Sequence, residues 1–164
     1  YSGIMIDTNN FVNSTGVRTF EAAAFLRRCG ADITLVRKLF RDDMESYRAK
    51  AEIISSAEVY HNKFAIARGV DLHIESPTII GAQAANELLD ISEIKASFVL
   101  TEYNGRIYVS ARSIDEVNVQ IIMERMGGGG HMNTAACQME GVGLVEAIGV
   151  LKNTIDDMLE SGEI

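Results

Sequence analysis

Four consecutive glycines followed by a histidine are the residues of this sequence best suited to binding chemistry. Gly127 to Gly130 and His131 follow a segment that should be helical. Glycine adopts positive φ without strain and has no Cβ to obstruct a ligand, so the amides of such a turn can hold an anion. His131 can add a hydrogen bond to a phosphate oxygen. The alternative is a flexible helix-to-strand turn with an exposed histidine. Because a plain turn needs only one glycine, the run of four favours ligand binding.

Two polar side chains precede this turn and are candidates for the same ligand. Arg112 ends a hairpin strand, and its guanidinium offers a planar fork for phosphate. Asn118 lies on the first turns of the following helix, where its amide can contact a base edge or face solvent. The alternative for Arg112 is a solvated arginine at a strand end. His61 and His73 are predicted to be surface residues.

Composition restricts the partners. The net charge is −8 and no basic stripe is visible, whereas nonspecific binding of long nucleic acid depends on many lysine and arginine contacts to phosphate. A small phosphorylated ligand, held by amides, a few arginines or a metal, fits better. The two cysteines, Cys29 and Cys137, are far apart without metal-ligand spacing, which favours a reduced compartment and hence the cytosol. No apolar run approaches the roughly 20 residues of a membrane span.

The first third of the sequence predicts one strand and three helices. Residues 1–6 are typical of the end of a buried strand, so we expect the sequence to be a fragment whose preceding part pairs with it. Asp7 would follow that strand, where ligands and metals gather in α/β sheets. Helices are predicted at 18–29, at 33–40 with Asp32 as N-cap, and at 44–59 with an Asp42–Glu45 capping box. The last helix is predicted to link two domains.

The remaining sequence predicts an α/β layer, a mixed sheet covered by helices. Asn104-Gly105 between two β-rich runs is typical of a type I′ hairpin. Ser113 and Glu116 have capping-box spacing and should begin the helix that ends at the glycines. The other predicted elements are a strand at 64–68, a helix from Pro77 to about Leu89, a strand at 134–139 and an amphipathic C-terminal helix containing Leu144, Ile148, Leu151, Ile155 and Met158.

The sequence offers few ligands for a catalytic metal. Metal hydrolases need several carboxylates or histidines around one or two ions, and Asp7 is a single candidate. No HExxH motif, Cys/His cluster or Asp-His-His triplet is present. Neither cysteine lies in a nucleophile–histidine–acid pattern.

Five stretches carry a family resemblance: GIMIDT at 3–8, RTFEAA at 18–23, SARS at 110–113, NVQ at 118–120 and GGGGH at 127–131. Together they resemble the C-terminal part of DHH-family phosphoesterases with their DHH-associated domain, most closely the cyclic-di-AMP phosphodiesterases of the GdpP type. The resemblance implies the C-terminal piece of a DHH domain at 1–42, a linker helix at 43–60 and a DHH-associated substrate-binding domain at 61–164. It also implies a cleft between two domains.

The same resemblance implies particular roles. Asp7 matches a ligand of a two-manganese site, whose other ligands lie in motifs absent from this sequence, so we expect the fragment to be inactive and to bind metal poorly. Arg112, Asn118, Gly128, Gly129, Gly130 and His131 match the substrate-binding residues.

The implied parent is a bacterial signalling enzyme that hydrolyses cyclic-di-AMP to linear 5′-pApA and is anchored to the cell membrane by domains outside this sequence. One alternative is an oligoribonuclease or phosphatase acting on short linear nucleotides. The other is a non-catalytic module that binds nucleotide or forms a homodimer.

Overall fold

A computed structural model of the protein describes residues 1–12, 14–70, 72 and 74–164. The prediction for His73 therefore lies outside the described residues. The chain divides into two compact units, Tyr1–Asp43 and Met44–Ile164. The first contains the helices α1 (Ser2–Asp7), α2 (Val17–Arg28) and α3 (Ile33–Leu39). The second contains α4 (Met44–Ser55), β1 (Glu58–Tyr60), β2 (Phe64–Gly69), α5 (Pro77–Leu88), β3 (Ala96–Tyr103), β4 (Arg106–Ser113), α6 (Val119–Arg125), β5 (Gly129–His131), β6 (Thr134–Glu140) and α7 (Leu144–Glu160).

The predicted strand at residues 1–6 is wrong, because this segment forms the helix α1. Its backbone closes hydrogen bonds locally, as from Met5 N to Tyr1 O at 3.1 Å and from Thr8 N to Ile4 O at 3.0 Å. A strand needs a neighbour to satisfy its N–H and C=O groups, and the described residues of the first unit include no strand. Asp7 is thus the last residue of a helix rather than a residue after a strand.

The other two helices of the first unit agree with their predictions. α2 covers the alanine-rich segment. α3 begins after Asp32, whose Oδ1 accepts hydrogen bonds from Thr34 N at 2.8 Å and Leu35 N at 3.2 Å. This side-chain cap satisfies two amides that have no partner inside the helix.

The predicted helix at 44–59 is too long, because α4 ends at Ser55 and residues 58–60 form β1. Ser55 Oγ and Ser56 Oγ donate to the carbonyls of Glu52 and Ile53 at 2.8 and 2.7 Å. Such local bonds compete with continuation of a helix. Val59 then pairs with β2 instead of extending α4.

The second unit is an α/β layer built on one mixed sheet, as the sequence predicts. The strand order is β1-β2-β3-β4-β6-β5, with β2 and β3 parallel and the remaining neighbours antiparallel. Within the part of the chain that the structure describes, no helix has both the length and the apolar composition needed to cross a bilayer.

Helices cover the two faces of the sheet unequally. On one face, α5 packs mainly over β3 and also contacts β4, while α4 packs over β2; Ala84, Ala85 and Leu88 share a buried cluster with Ala65 and Val99. On the other face, α6 and α7 bury a larger cluster. Near α5, side chains on both faces of the sheet therefore point into a buried core. Farther toward β6 and β5, only the face covered by α6 and α7 points into a core.

The β3–β4 hairpin matches its prediction, and the start of the next helix does not. Asn104 and Gly105 have φ of 52° and 73°, as a type I′ turn requires. Ser113, predicted as a cap, is instead the last residue of β4, and its amide donates to Asn133 O at 3.1 Å. Glu116 pairs with Lys95. The N-cap of α6 is Asn118, whose Oδ1 accepts from Gln120 N at 3.1 Å.

Candidate functional site

The first two glycines of the run complete the C-terminus of α6. Gly127 has φ of 82°, its amide donates to Glu124 O at 3.0 Å, and the amide of Gly128 donates to Met123 O at 2.8 Å. This pair of bonds is a Schellman motif. Both amides are therefore used by the helix, which corrects the prediction that the backbone donors of all four glycines are free for an anion.

The glycines differ in what surrounds them. A Cβ on Gly128 would overlap the carbonyl oxygen of Ala136 and the side chain of Cys137 in β6. A Cβ on Gly130 would lie 2.5 Å from the backbone of β6, and its φ of 150° is also unfavourable for other residues. Gly129 has neither constraint, since its φ is not positive and a Cβ there would meet nothing within 4 Å. The fold thus explains three of the glycines, and Gly129 is the one it does not require.

Strand pairing brings His131 close to Arg112. Arg112 of β4 pairs with Thr134 of β6, and Thr134 pairs with His131 of β5. Directly opposed residues of neighbouring strands project from the same face of a sheet. With strands about 4.8 Å apart, these three residues form one row across the end of the sheet, here called the Arg112 row.

The Arg112 row belongs to a wider surface, here called the open face, which α5 borders along β4 and which is more exposed along β6 and β5. A second row consists of the small residues Ser110, Ala136 and Gly129, and a third of Tyr108 and Gln138. All eight residues are exposed or partly exposed. Successive rows are about 7 Å apart, so the middle row forms a shallow floor between the Arg112 row and the third row.

The guanidinium of Arg112 is held in place without being neutralised. Its Nε donates to Asn86 Oδ1 on α5 at 3.1 Å, and its Nη1 donates to Ala111 O at 2.9 Å. Burial lowers the pKa of the Arg112 guanidinium below its usual value, although arginine stays charged at physiological pH. Among the described residues, no carboxylate forms a salt bridge with it. A poorly hydrated cation without a counter-ion attracts an anion strongly.

The other predicted site residues are placed less clearly. Asn118 is half-buried, and its side-chain oxygen caps α6. The sequence did not indicate this capping role, and the contact of Asn118 with substrate stays a prediction. The sequence did not indicate Asn86 or Tyr108 as site residues, and it included Ser110 only in the SARS stretch and Thr134 only in a predicted strand. The polar–apolar alternation from Arg106 to Ser113 was the signal that could have indicated the polar face of β4.

Of the two-manganese site that the resemblance implies, the described residues offer one predicted ligand, Asp7, and no further cluster. Asp7 is an exposed residue of the first unit, and no cluster of three or more His, Cys, Asp or Glu side chains in the described ranges could hold a metal ion. The role of Asp7 as a ligand stays a prediction.

Two cavities of about 240 Å³ share no residue with the open face. One is lined by residues of α4 together with Glu87, and the other lies between Ser56 and Ile148.

The six-stranded mixed sheet and the glycine–histidine hairpin at its edge define the class of protein. The chain matches the DHHA1 domain over residues 62–161, and it belongs to that family.

Two curated relatives are similar to nearly the whole chain. The chain is 43% identical over 156 residues to the cyclic-di-AMP phosphodiesterase PdeA of Listeria monocytogenes serotype 1/2a (strain 10403S), a match covering 94% of this chain and 24% of the relative. It is 43% identical over 163 residues to the cyclic-di-AMP phosphodiesterase GdpP of Geobacillus thermodenitrificans (strain NG80-2), covering 99% of this chain and 25% of the relative. The chain thus spans about a quarter of the length of these curated relatives.

Among solved structures, an exopolyphosphatase-related protein from Bacteroides fragilis has the same fold. The TM-score is 0.85 at 21% sequence identity, over 94% of this chain and 48% of that one.

Proposed function

We propose that this chain is the substrate-binding part of a phosphodiesterase that hydrolyses cyclic-di-AMP to linear 5′-pApA, with residues 61–164 as the binding domain. The observation that carries the proposal is the Arg112 row, in which a half-buried guanidinium lies two strands from His131 and has no carboxylate partner among the described residues. The identity of 43% to two cyclic-di-AMP phosphodiesterases supports the choice of ligand.

The spacing of the open face fits one nucleotide unit. A phosphate bound by Arg112 and His131 lies about 7 Å from the floor formed by Ser110, Ala136 and Gly129. Because these side chains are small, a flat base or sugar can approach the backbone there. The ring of Tyr108 lies one row farther and offers a stacking surface. Nucleotide recognition would thus combine one anion contact with stacking on the floor.

The open face does not favour a long polymer. Arg112 and His131 are the basic residues of its Arg112 row, and the whole chain carries a net charge of −8. Binding governed by one or two phosphates should weaken only slightly with salt, because each phosphate contact on single-stranded nucleic acid adds about 0.7 to the slope of log K against log salt. A slope steeper than about 3 would indicate a polymer-binding surface.

The direct test is calorimetric titration of the chain with cyclic-di-AMP and 5′-pApA. Arg112→Ala should weaken binding by about 10- to 100-fold, the range for loss of a charge-assisted hydrogen bond, and His131→Ala should weaken it less. Arg106→Ala is the matched control, because Arg106 lies on the same strand but pairs with Glu140 at 2.9 Å. Equal affinity in the Arg112 and Arg106 variants would refute the proposal.

A second candidate, action on short linear nucleotides, is favoured by the single cationic row. A cyclic dinucleotide carries two equivalent phosphates, whereas the open face offers one guanidinium, and a terminal 5′-phosphate has the higher charge. Turnover by the complete parent protein separates the two candidates. Strong preference for 5′-pApA over cyclic-di-AMP would make the linear nucleotide the substrate.

The membrane anchor, the two manganese ions and the hydrolysis itself belong, in this proposal, to the longer parent. Asp7 would contribute one ligand there, and no step of the reaction is assigned to the described residues. What they contribute is the holding and orientation of the phosphate and base.

A further inference from the structure

Asn86 of α5 is the side chain that fixes the guanidinium of Arg112. Its Oδ1 accepts a hydrogen bond from Arg112 Nε at 3.1 Å. Since arginine can only donate, the amide must present its oxygen to Arg112 and its Nδ2 elsewhere. We propose that Asn86 is a positioning residue, which holds the Arg112 guanidinium on the open face in the orientation that receives an anionic group. The inference rests on the proposed function of that face.

An arginine side chain needs such support because it has several rotatable bonds. Nε is held by Asn86 and Nη1 by the carbonyl of Ala111. Two anchors fix the plane of the guanidinium, because its nitrogen atoms are coplanar. Nη2 keeps both of its N–H groups and has no partner among the described residues. These groups are therefore presented in a defined direction before any ligand binds, which reduces the entropy lost on binding.

A neutral acceptor is suited to this task where a carboxylate is not. The next residue of α5, Glu87, forms a salt bridge with Lys50 at 2.5 Å, and on β4 Arg106 is paired with Glu140. A carboxylate at position 86 would hold Arg112 equally well, but it would neutralise the guanidinium and repel an anion. The amide of Asn86 orients the guanidinium and leaves its charge uncompensated.

The first experiment measures the guanidinium itself in the full chain without ligand. The ¹⁵N-resolved hydrogen exchange of Arg112 Nε–H should accelerate by about tenfold in Asn86→Ala, the factor expected for loss of one hydrogen bond. In Asn86→Asp the exchange should stay slow, because a carboxylate accepts the same bond. Asn153→Ala is the control, since Asn153 is an exposed residue of α7. Unchanged exchange in Asn86→Ala would overturn the proposal.

The second experiment measures affinity for 5′-pApA. Asn86→Ala should weaken binding by roughly tenfold. Asn86→Asp should weaken it at least as much although Arg112 stays in place. In an Arg112→Ala background, Asn86→Ala should have no further effect, and an equal effect in both backgrounds would overturn the positioning role. If the wild-type chain binds no 5′-pApA, the proposed function of the open face fails, whereas the exchange measurement still decides the role of Asn86.

Discussion

Substituting neighbouring glycines should separate the requirements of the fold from those of the ligand. Gly129→Ala places a methyl group where nothing lies within 4 Å, at a backbone conformation that alanine accepts. Gly128→Ala places the same group on the carbonyl of Ala136 and the side chain of Cys137. We expect the first variant to lose ligand binding and keep its stability, and the second to lose stability.

The magnitudes follow from these surroundings. Replacing a glycine by alanine without strain stabilises a protein by about 0.4–1 kcal/mol, because the unfolded chain has fewer conformations. Inserting a methyl group into a packed contact costs about 1–3 kcal/mol, and here backbone must move as well. The two effects together separate the variants by about 1.4–4 kcal/mol. With a shift of roughly 3–6 °C per kcal/mol for a unit of this size, Gly128→Ala should melt about 4–24 °C below Gly129→Ala.

The assay combines thermal unfolding with titration of 5′-pApA. A methyl group at 129 projects beside Ala136 into the floor of the open face, so the base or sugar can no longer reach the backbone. The affinity of Gly129→Ala should fall by more than about tenfold, which corresponds to 1.4 kcal/mol. Wild-type affinity in this variant would refute the assignment of the small-residue row as a binding floor. Wild-type stability of Gly128→Ala would refute the packing of the glycine turn against β6.

Three other predictions concern residues that are not among the eight of the open face. Burial raises the pKa of the Cys137 thiol to about 11, so at pH 8 about one molecule in a thousand carries the thiolate. Iodoacetamide should therefore modify one cysteine, the exposed Cys29, in the native chain and both after denaturation. Hydrogen bonds from His61 and then Tyr60 hold the pKa of Asp156 below its usual range. A carboxyl group whose pKa is lower in the folded state stabilises the fold at pH values above its unfolded pKa, and this stabilisation is lost as the pH falls through the folded-state pKa. Asp156→Asn should therefore melt below the wild type at pH 7, and this difference should shrink below about pH 4. A difference that stays constant down to about pH 2.5 would contradict this. Titration with Mn²⁺ should show no tight site, because the described residues hold no cluster of three metal-ligating side chains, and stoichiometric binding lost in Asp7→Asn would contradict that reasoning.

Local sequence signals predicted those elements whose hydrogen bonds close locally. The Asn104-Gly105 turn, the Asp32 cap and the apolar spacing of α7 each depend on residues a few positions apart. The capping box predicted from the Ser113–Glu116 spacing is wrong because of contacts with residues distant in sequence. Ser113 is held in β4 by a hydrogen bond to the turn between β5 and β6, and Glu116 is paired with Lys95. Capping boxes depend on the backbone at the cap being free to leave a strand.

The composition of the site was only partly predictable for the same reason. Chain connectivity suggested that Arg112 lies near the glycine turn, but its pairing with Thr134 depends on the order of the strands in the sheet. Asn86 is 26 residues away from Arg112 in sequence, and no spacing rule relates a helix residue to a strand so distant. Packing also gives neighbouring glycines different roles. Only the position of β6 shows that the fold requires a glycine at 128 and not at 129.

The position of Arg112 at the border of α5 explains how one residue can be both fixed and accessible. Farther under the helix, the same row of the sheet continues through Ser97 and Ala65, which are buried. Farther toward the edge, Thr134 and His131 are exposed. A guanidinium under α5 would lack room for a ligand, and one on β5 would be hydrated and mobile. At the border, Asn86 of α5 supplies a hydrogen-bond acceptor for the guanidinium, and Arg112 stays partly exposed. A strongly held phosphate contact is therefore expected at this strand and not at its neighbours.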